Sequence, residues 1–444
     1  MKLQIKGLGL AMGLTAGLLP AITMAQQPTI HNLRAYDQSG INVFEAPKDS
    51  VSVFDGLKLK FGAGFTQSFQ NLKHENTAKN LYKISSGFNT ANANLYMDVQ
   101  LADGIRLNLT SYLSSRHHNE TWVKGGYIQF DKLPFKGQTW DEIMKYVTIK
   151  IGHTEINYGD QHFRRSDGGG TLYNPFVENY IMDAFTTEIG GEIYLRKNGA
   201  FAMVGMSNGL IKGNIDSVTV GVDPVQGKIV DDNLHKSPSI YGKLGYDKQV
   251  DEHIRVRVAA SIYHNSSAGN NGNTLYGGDR TGSNYFMVLE PTNGTYSANA
   301  FSGRLNPAFT KRITAAQLNA FFQAYGFEFF GTYETAKGRT KTEAADRNAN
   351  QFAAEGVYRF GPKDKLFIGL RYNTVKADIY NSTTGAVTKD AKVDRISAGA
   401  GWFLTRNVLL KAEYSDQKYK DFEATDIRNG GKFHGYVIQA VVGF

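Results

Sequence analysis

Not one of the 444 residues is cysteine. That rules out disulfide bonds and thiol chemistry, and it closes the lipoprotein route, which acylates a cysteine after the export signal. Beyond the N-terminus there is also no run of about 18 apolar residues, so no helix is expected to span a membrane. Charge is not concentrated either. Lys and Arg number 49 against 41 Asp and Glu, a formal +8, and they are too dispersed to suggest nucleic acid as a partner.

Catalytic constellations are equally scarce. His117, His118 and Glu120 form one small group, with no second cluster at zinc-site spacing. The glycine-rich stretch 166–170 lacks the Gly-Lys-Ser/Thr of a phosphate loop. Residues 205–209, GMSNG, match G-x-S-x-G, but a nucleophile elbow needs a helix straight after the serine and no helical period follows. An enzyme is therefore not expected, nor a cofactor or a resident metal. Loop aspartates Asp160, Asp167 and Asp183 leave a Ca²⁺ site open as an alternative.

What the chain has is glycine and aromatics: 48 Gly, 24 Tyr and 27 Phe. Residues 1–25 carry a basic start (Lys2, Lys6), an apolar run and a small residue at Ala25, the pattern of a secretory signal peptide. Residues 26–55 form a lead-in without periodicity, either a tail on the periplasmic side or a short inner plug. From 56 to 444 the pattern is alternation. In ANANLYMDVQL (91–101), Ala91, Ala93, Leu95, Met97, Val99 and Leu101 share one face, and polar residues take most of the other. About sixteen such strands follow one another, from 57–69 to 433–444, many near ten residues long. Tight turns such as 102–104 and 325–326 alternate with long loops such as 158–186, 208–238 and 265–311. Short turns on one side and long loops on the other are expected of an all-β, transmembrane antiparallel barrel. Strand counts of 14 or 18 are the alternatives, the latter if 286–289 pairs with 296–303.

An open sheet would leave unpaired backbone groups in lipid, so this sheet must close. About sixteen strands enclose water, which implies a channel. Phe130, Tyr246, Phe360, Trp402 and Phe444 fall on apolar faces at the short-turn ends, as an aromatic girdle would. Alternation turns Arg106, Lys150, Arg255, Arg257 and Arg371 inward, with Asp98, Glu188, Glu192, Glu328, Glu334, Glu355 and Glu413. Such a mixture either sets a weakly anion-preferring field or pairs within itself. The 158–186 loop, after the fifth strand, is the candidate constriction. Its Gly168–Gly170 would bend it, and Pro175, Phe176 and Tyr180 would pack on the wall. Arg164, Arg165, Asp167, Glu178 and Asp183 are its candidate constriction charges.

The segments IKIGHTEINYG, TTEIGGEIYL, VGMSNG, GFEFFGTYETAKG and LLKAEYSD, with the terminal Phe444, resemble the bacterial outer-membrane porin superfamily, nearest to its phosphate-selective O/P-like group. The resemblance implies a sixteen-stranded, trimeric channel with a fold-back loop setting the constriction. The phosphate-selective channels carry a dense arginine ladder, which this chain does not match. A Gram-negative outer membrane is the implied location. The implied partners are its lipid and lipopolysaccharide, the barrel-assembly machinery through Phe444, and small hydrophilic or anionic solutes crossing by diffusion. A barrel that anchors surface proteins, or one that transports hydrophobes, is the competing reading.

Overall fold

Alternating side chains over 8 to 19 residues force extended backbone whose two faces differ in polarity. The computed structural model describes residues 27–46, 48, 54–89, 91–114, 121–135, 137–209, 221–222, 229–230, 235–269, 272–278, 288–295, 299 and 303–444. The signal-peptide stretch and the His117–Glu120 group lie outside these residues, as do 286–287 and most of the suggested partner strand 296–303.

The strands are β1 (Lys58–Glu75), β2 (Asn92–Ala102), β3 (Ile105–Ser114), β4 (Thr121–Phe130), β5 (Val147–Glu155), β6 (Thr187–Lys197), β7 (Ala200–Ser207) and β8 (Ser239–Gln249). Then come β9 (Ile254–Asn265), β10 (Arg312–Ala324), β11 (Phe327–Arg339), β12 (Arg347–Phe360), β13 (Leu366–Tyr380), β14 (Val387–Thr405), β15 (Val408–Lys420) and β16 (Lys432–Gly443). Each pairs antiparallel with its neighbour in sequence, and β1 closes on β16 from Gly64↔Gly443 to Glu75↔Lys432. The result is a closed transmembrane barrel of sixteen strands. The two-residue bridge Gly87–Phe88 only prolongs the line of β2 along β1.

Several strands run further on the long-loop side than alternation suggested. β1 reaches Glu75, and β14 already begins at Val387. Beyond the apolar belt both faces are polar, so the period disappears while the hydrogen-bonded ladder continues into water. On the short-turn side, a helix α1 (Gln138–Met144) fills the long connection between β4 and β5.

The outer face is an apolar belt. Leu370 is 66% exposed, Leu244 64% and Val204 62%, a surface suited to lipid. The inner face is charged, yet Lys243, Arg257 and Arg395 are each at most 1% exposed. Something covers them.

Candidate functional site

Segments outside the strands account for that cover: Gly303, in the loop before β10, accepts from Arg395, and two longer segments do most of the rest. The first is residues 158–186. Its apolar residues form no core of their own: Val177, Ile181 and Met182 join a buried cluster with wall residues such as Ala315, Ala349 and Val375. The segment is held by inward side chains of the wall formed by β8–β15. The Tyr158 hydroxyl donates to Glu334 Oε1 at 3.0 Å on β11. The Ile181 amide donates to Asn373 Oδ1 at 2.6 Å, and that of Met182 to Gln351 Oε1 at 2.8 Å. Lys411 Nζ, on β15, donates to the carbonyls of Thr171, Asn174 and Phe176 at 2.9, 2.8 and 2.6 Å. Phe176 lies over the cross-strand pair Gly369 and Gly399, where a Cβ would stand 3.2 Å from its ring in each case.

The charged residues singled out from sequence are mostly buried against partners. Arg164 meets Glu355 at 2.8 Å, and Arg371 meets the same carboxylate at 2.7 Å. Arg165 meets Asp183 at 2.8 Å, and Arg304 joins them at 3.1 Å. Burial alone would push the Asp183 carboxyl up, but Arg165 and then Arg304 reverse this and hold it below its ordinary range. Asp167 pairs with Lys124. The Glu178 carbonyl accepts from Arg371 at 2.7 Å. Arg106 pairs with Asp131 at 2.5 Å, and Arg255 with Asp247 at 2.7 Å. Arg257 pairs with Asp160 at 2.8 Å. The three aspartates left open for Ca²⁺ thus face arginine or lysine. Among the described residues no group of three or more His, Asp and Glu is placed to hold a metal.

The second segment is the lead-in. The described residues 27–46 and 48 run along the short-turn end of the barrel, and their contacts follow the inner wall almost completely around. Arg106 on β3 donates to the carbonyls of His31 and Asn32, both at 2.9 Å. Tyr36 stacks on Tyr96 of β2 at 3.9 Å and lies against Gly62 of β1, where any Cβ would meet its ring at 2.4 Å. Asp37 pairs with Arg406 in the β14–β15 turn, and Gln38 donates to the Lys363 carbonyl in the β12–β13 turn at 3.0 Å. Asn42 donates to Glu328 of β11 at 2.6 Å. Phe44 enters the rings of Phe163, Phe321 and Phe330. Glu45 meets Arg257 of β9 at 2.7 Å and Lys243 of β8 at 3.3 Å. Arg196 of β6 holds the Ala46 carbonyl. Lys48 donates to Val147 of β5 at 2.6 Å and to Asp131, just past β4, at 2.8 Å. The segment forms a collar.

Between collar, loop and the wall of β2–β6 a cavity of about 290 Å³ remains. Five cations, Arg34, Lys124, Lys150, Arg165 and Arg196, line it with four carboxylates, Glu45, Asp98, Glu155 and Asp167. Lys150 Nζ sits 4.2 Å above the Tyr127 ring and 3.8 Å from Glu192. Lys124 and Lys150 remain 14% and 17% exposed, whereas Arg164, Arg165, Arg257 and Arg371 retain at most 3%. Lys124 was missed in the sequence because strict alternation places it outward with Phe130. The ladder between β3 and β4 shifts there: Thr110 faces Gly125 and Ser111 faces Val123, leaving Lys124 as the extra residue of a bulge that turns it inward. Tyr36 was missed because the collar has no period to read.

No family model matches the sequence, and no curated protein matches it significantly. Among solved structures, the anion-selective porin from Comamonas acidovorans superposes with a TM-score of 0.53. It covers 88% of this chain and 100% of that one at 11% identity. The outer membrane channel DcaP of Acinetobacter baumannii overlaps more loosely, with a TM-score of 0.49 at 10% identity, over 89% and 99% of the two chains. OmpT of Vibrio cholerae gives 0.47 at 11%, over 89% and 100%. At these identities the first likeness is one of fold, and the other two add nothing to it.

Proposed function

We propose that the protein is a porin of a bacterial outer membrane, passing small hydrophilic solutes by diffusion along the β2–β6 side of its lumen. The observation that carries this reading is the cavity of about 290 Å³ inside a closed barrel, polar-lined and off-centre beside a folded-in loop. Short turns then face the periplasm, and long loops, with lipopolysaccharide around them, face outward. Phe444, 54% exposed at the end of the last strand, is the residue offered to the assembly machinery. A homotrimer belongs to the same reading.

The solute path carries at most a weak anion preference, because cations outnumber carboxylates along the cavity only by five to four, and the exposed lysines Lys124 and Lys150 share it with the more exposed Glu155. Phosphate specificity is not part of the proposal. The interior arginines Arg106, Arg164, Arg165, Arg257 and Arg371 are each bound to a carboxylate.

Planar-bilayer recording tests the proposal. The purified chain should give stable unitary conductance, and Lys124→Glu with Lys150→Glu should move the reversal potential in a KCl gradient toward cation selectivity. A barrel that inserts but stays silent would favour the anchoring role. A conducting barrel whose selectivity ignores both lysines would put the path elsewhere.

A further inference from the structure

The collar is an unusual use of residues. The sixteen strands close upon themselves without it, since every ladder from β1 to β16 is satisfied by a neighbouring strand. Among the described residues, 27–48 add a single backbone-to-backbone hydrogen bond to the barrel, from the Gln38 amide to the Arg406 carbonyl at 2.9 Å. Its other attachments are side-chain contacts. Only two are aromatic anchors, Tyr36 on Tyr96 and Phe44 among Phe163, Phe321 and Phe330. Ile41 packs on the apolar cluster that includes Phe367 and Phe403, and the remaining contacts are mostly polar or ionic.

The ground beneath the collar is also informative. Where Glu45 docks, the wall presents Lys243 and Arg257, with Asp160 from the loop. Where Asn42 docks, it presents Glu328 and Arg255, the latter donating to the Asn42 carbonyl at 2.9 Å. A permanent filling would be expected to meet an apolar wall, because burying paired charges is rarely better than burying hydrophobic groups of the same size. A wall of charged side chains tolerates water as well as it tolerates the collar. Withdrawal would cost the barrel no ladder bond, and it would uncover charged side chains that water solvates together with a smaller apolar patch around Phe321 and Phe330.

We propose that the collar, residues 27–46 with Lys48, is an intrinsic gate: docked, it obstructs the periplasmic mouth of the barrel, and its withdrawal gives the fully open channel. This rests on the channel reading above. The collar follows most of the inner circumference, so its leaving widens the mouth from many sides at once. Tyr36 and Glu45, which now bound the cavity along the β2–β6 wall, leave with it, and the off-centre path becomes a broad one.

The lack of cysteine makes a clean test available. The backbone bond from Gln38 to Arg406 makes this pair the place to try a disulfide. A Gln38→Cys, Arg406→Cys chain, oxidised, should hold the collar in place and show only the small conductance level. Reduction should restore larger openings. Deletion of 27–48 from the otherwise full chain should raise unitary conductance several-fold, with heat-modifiable gel migration reporting that the barrel has formed. If the deletion fails to fold, Tyr36→Ala with Phe44→Ala, which removes both aromatic anchors, should raise the open fraction instead. Equal conductance in oxidised and reduced chains, and in deleted and full-length chains, would overturn the gate while leaving the channel intact. Silence in every variant would remove the channel reading itself, and the gate with it.

Discussion

Glu45 sits where collar, loop and wall meet, facing Lys243 and Arg257 with Asp160 alongside. Burial would raise its pKa, but Lys243 and then Arg257 dominate and hold the carboxyl well below its ordinary value near 4.5. Asp160 is depressed for the same reasons. A carboxylate whose folded pKa is depressed stabilises fully above its unfolded pKa and loses that contribution as pH falls through the folded one. Collar docking should therefore be insensitive to pH from neutral down to about 4.5 and weaken below it. Glu45→Gln should flatten that acid limb and cost about 2 kcal/mol at neutral pH, because Asp160 still faces both cations. Urea unfolding in detergent micelles at stepped pH would read both effects. Arg164 and Arg165 lead to a different expectation from Lys150. A glutamate at 165 would be placed against Asp183, and one at 164 against Glu355 and Glu328. The Arg164→Glu, Arg165→Glu pair should loosen the loop and lower stability by at least about 3 kcal/mol, measured in the same titration, before selectivity is affected. At this scale, alternation indicated which way Arg257 and Arg371 point. Cross-strand register then sets Asp247 opposite Arg257 and Glu355 opposite Arg371, but alternation carried no information on Asp160, Glu45 or Arg164, which reach these groups from aperiodic segments far away in the chain.

The strands were legible as elements because one face meets lipid and the other does not, which writes a period of two into the sequence. The loop was legible only by its length and its place after the fifth strand. The collar was not legible, since a segment fixed by side chains of the wall needs no periodicity of its own. Both segments leave a trace in the wall instead: Gly62 under Tyr36 of the collar, and Gly369 with Gly399 under Phe176 of the loop. Each of these glycines keeps an inward position free for a ring that arrives from elsewhere. Gly399→Leu should accordingly drive Phe176 off the wall, as overpacking costs about 1–3 kcal/mol. The expected outcome is a loop newly open to protease near Pro175, with barrel migration on gels unchanged. Lys411→Met is the complementary change. It leaves the carbonyls of Thr171, Asn174 and Phe176 without their shared donor. Amide exchange across 171–177 should then rise while that of β15 stays slow.

For the whole molecule, the decisive question is what the outer surface faces, since the same alternation in water would describe an inside-out sandwich. On the outer face of β13, Leu370 lies between an upper aromatic, Tyr372, and the level of Trp402, which faces Leu366 across the ladder. Val387, at the long-loop end of β14 opposite Tyr380, lies beyond that belt and is 37% exposed. If lipid covers the belt, Leu370→Arg must bring a guanidinium into hydrocarbon at a cost of about 2–4 kcal/mol, whereas Val387→Arg near the interface costs about 0–1 kcal/mol. If water covered it, both substitutions would be close to neutral, because an exposed leucine in water gains nothing by remaining leucine. Equilibrium unfolding in lipid vesicles separates the two cases, and the difference between the variants matters more than either value. It cancels whatever arginine does to the unfolded chain, leaving only the depth at which each side chain sits. A large difference places the belt in the membrane and leaves the charged, collar-lined interior as the only passage for a polar solute.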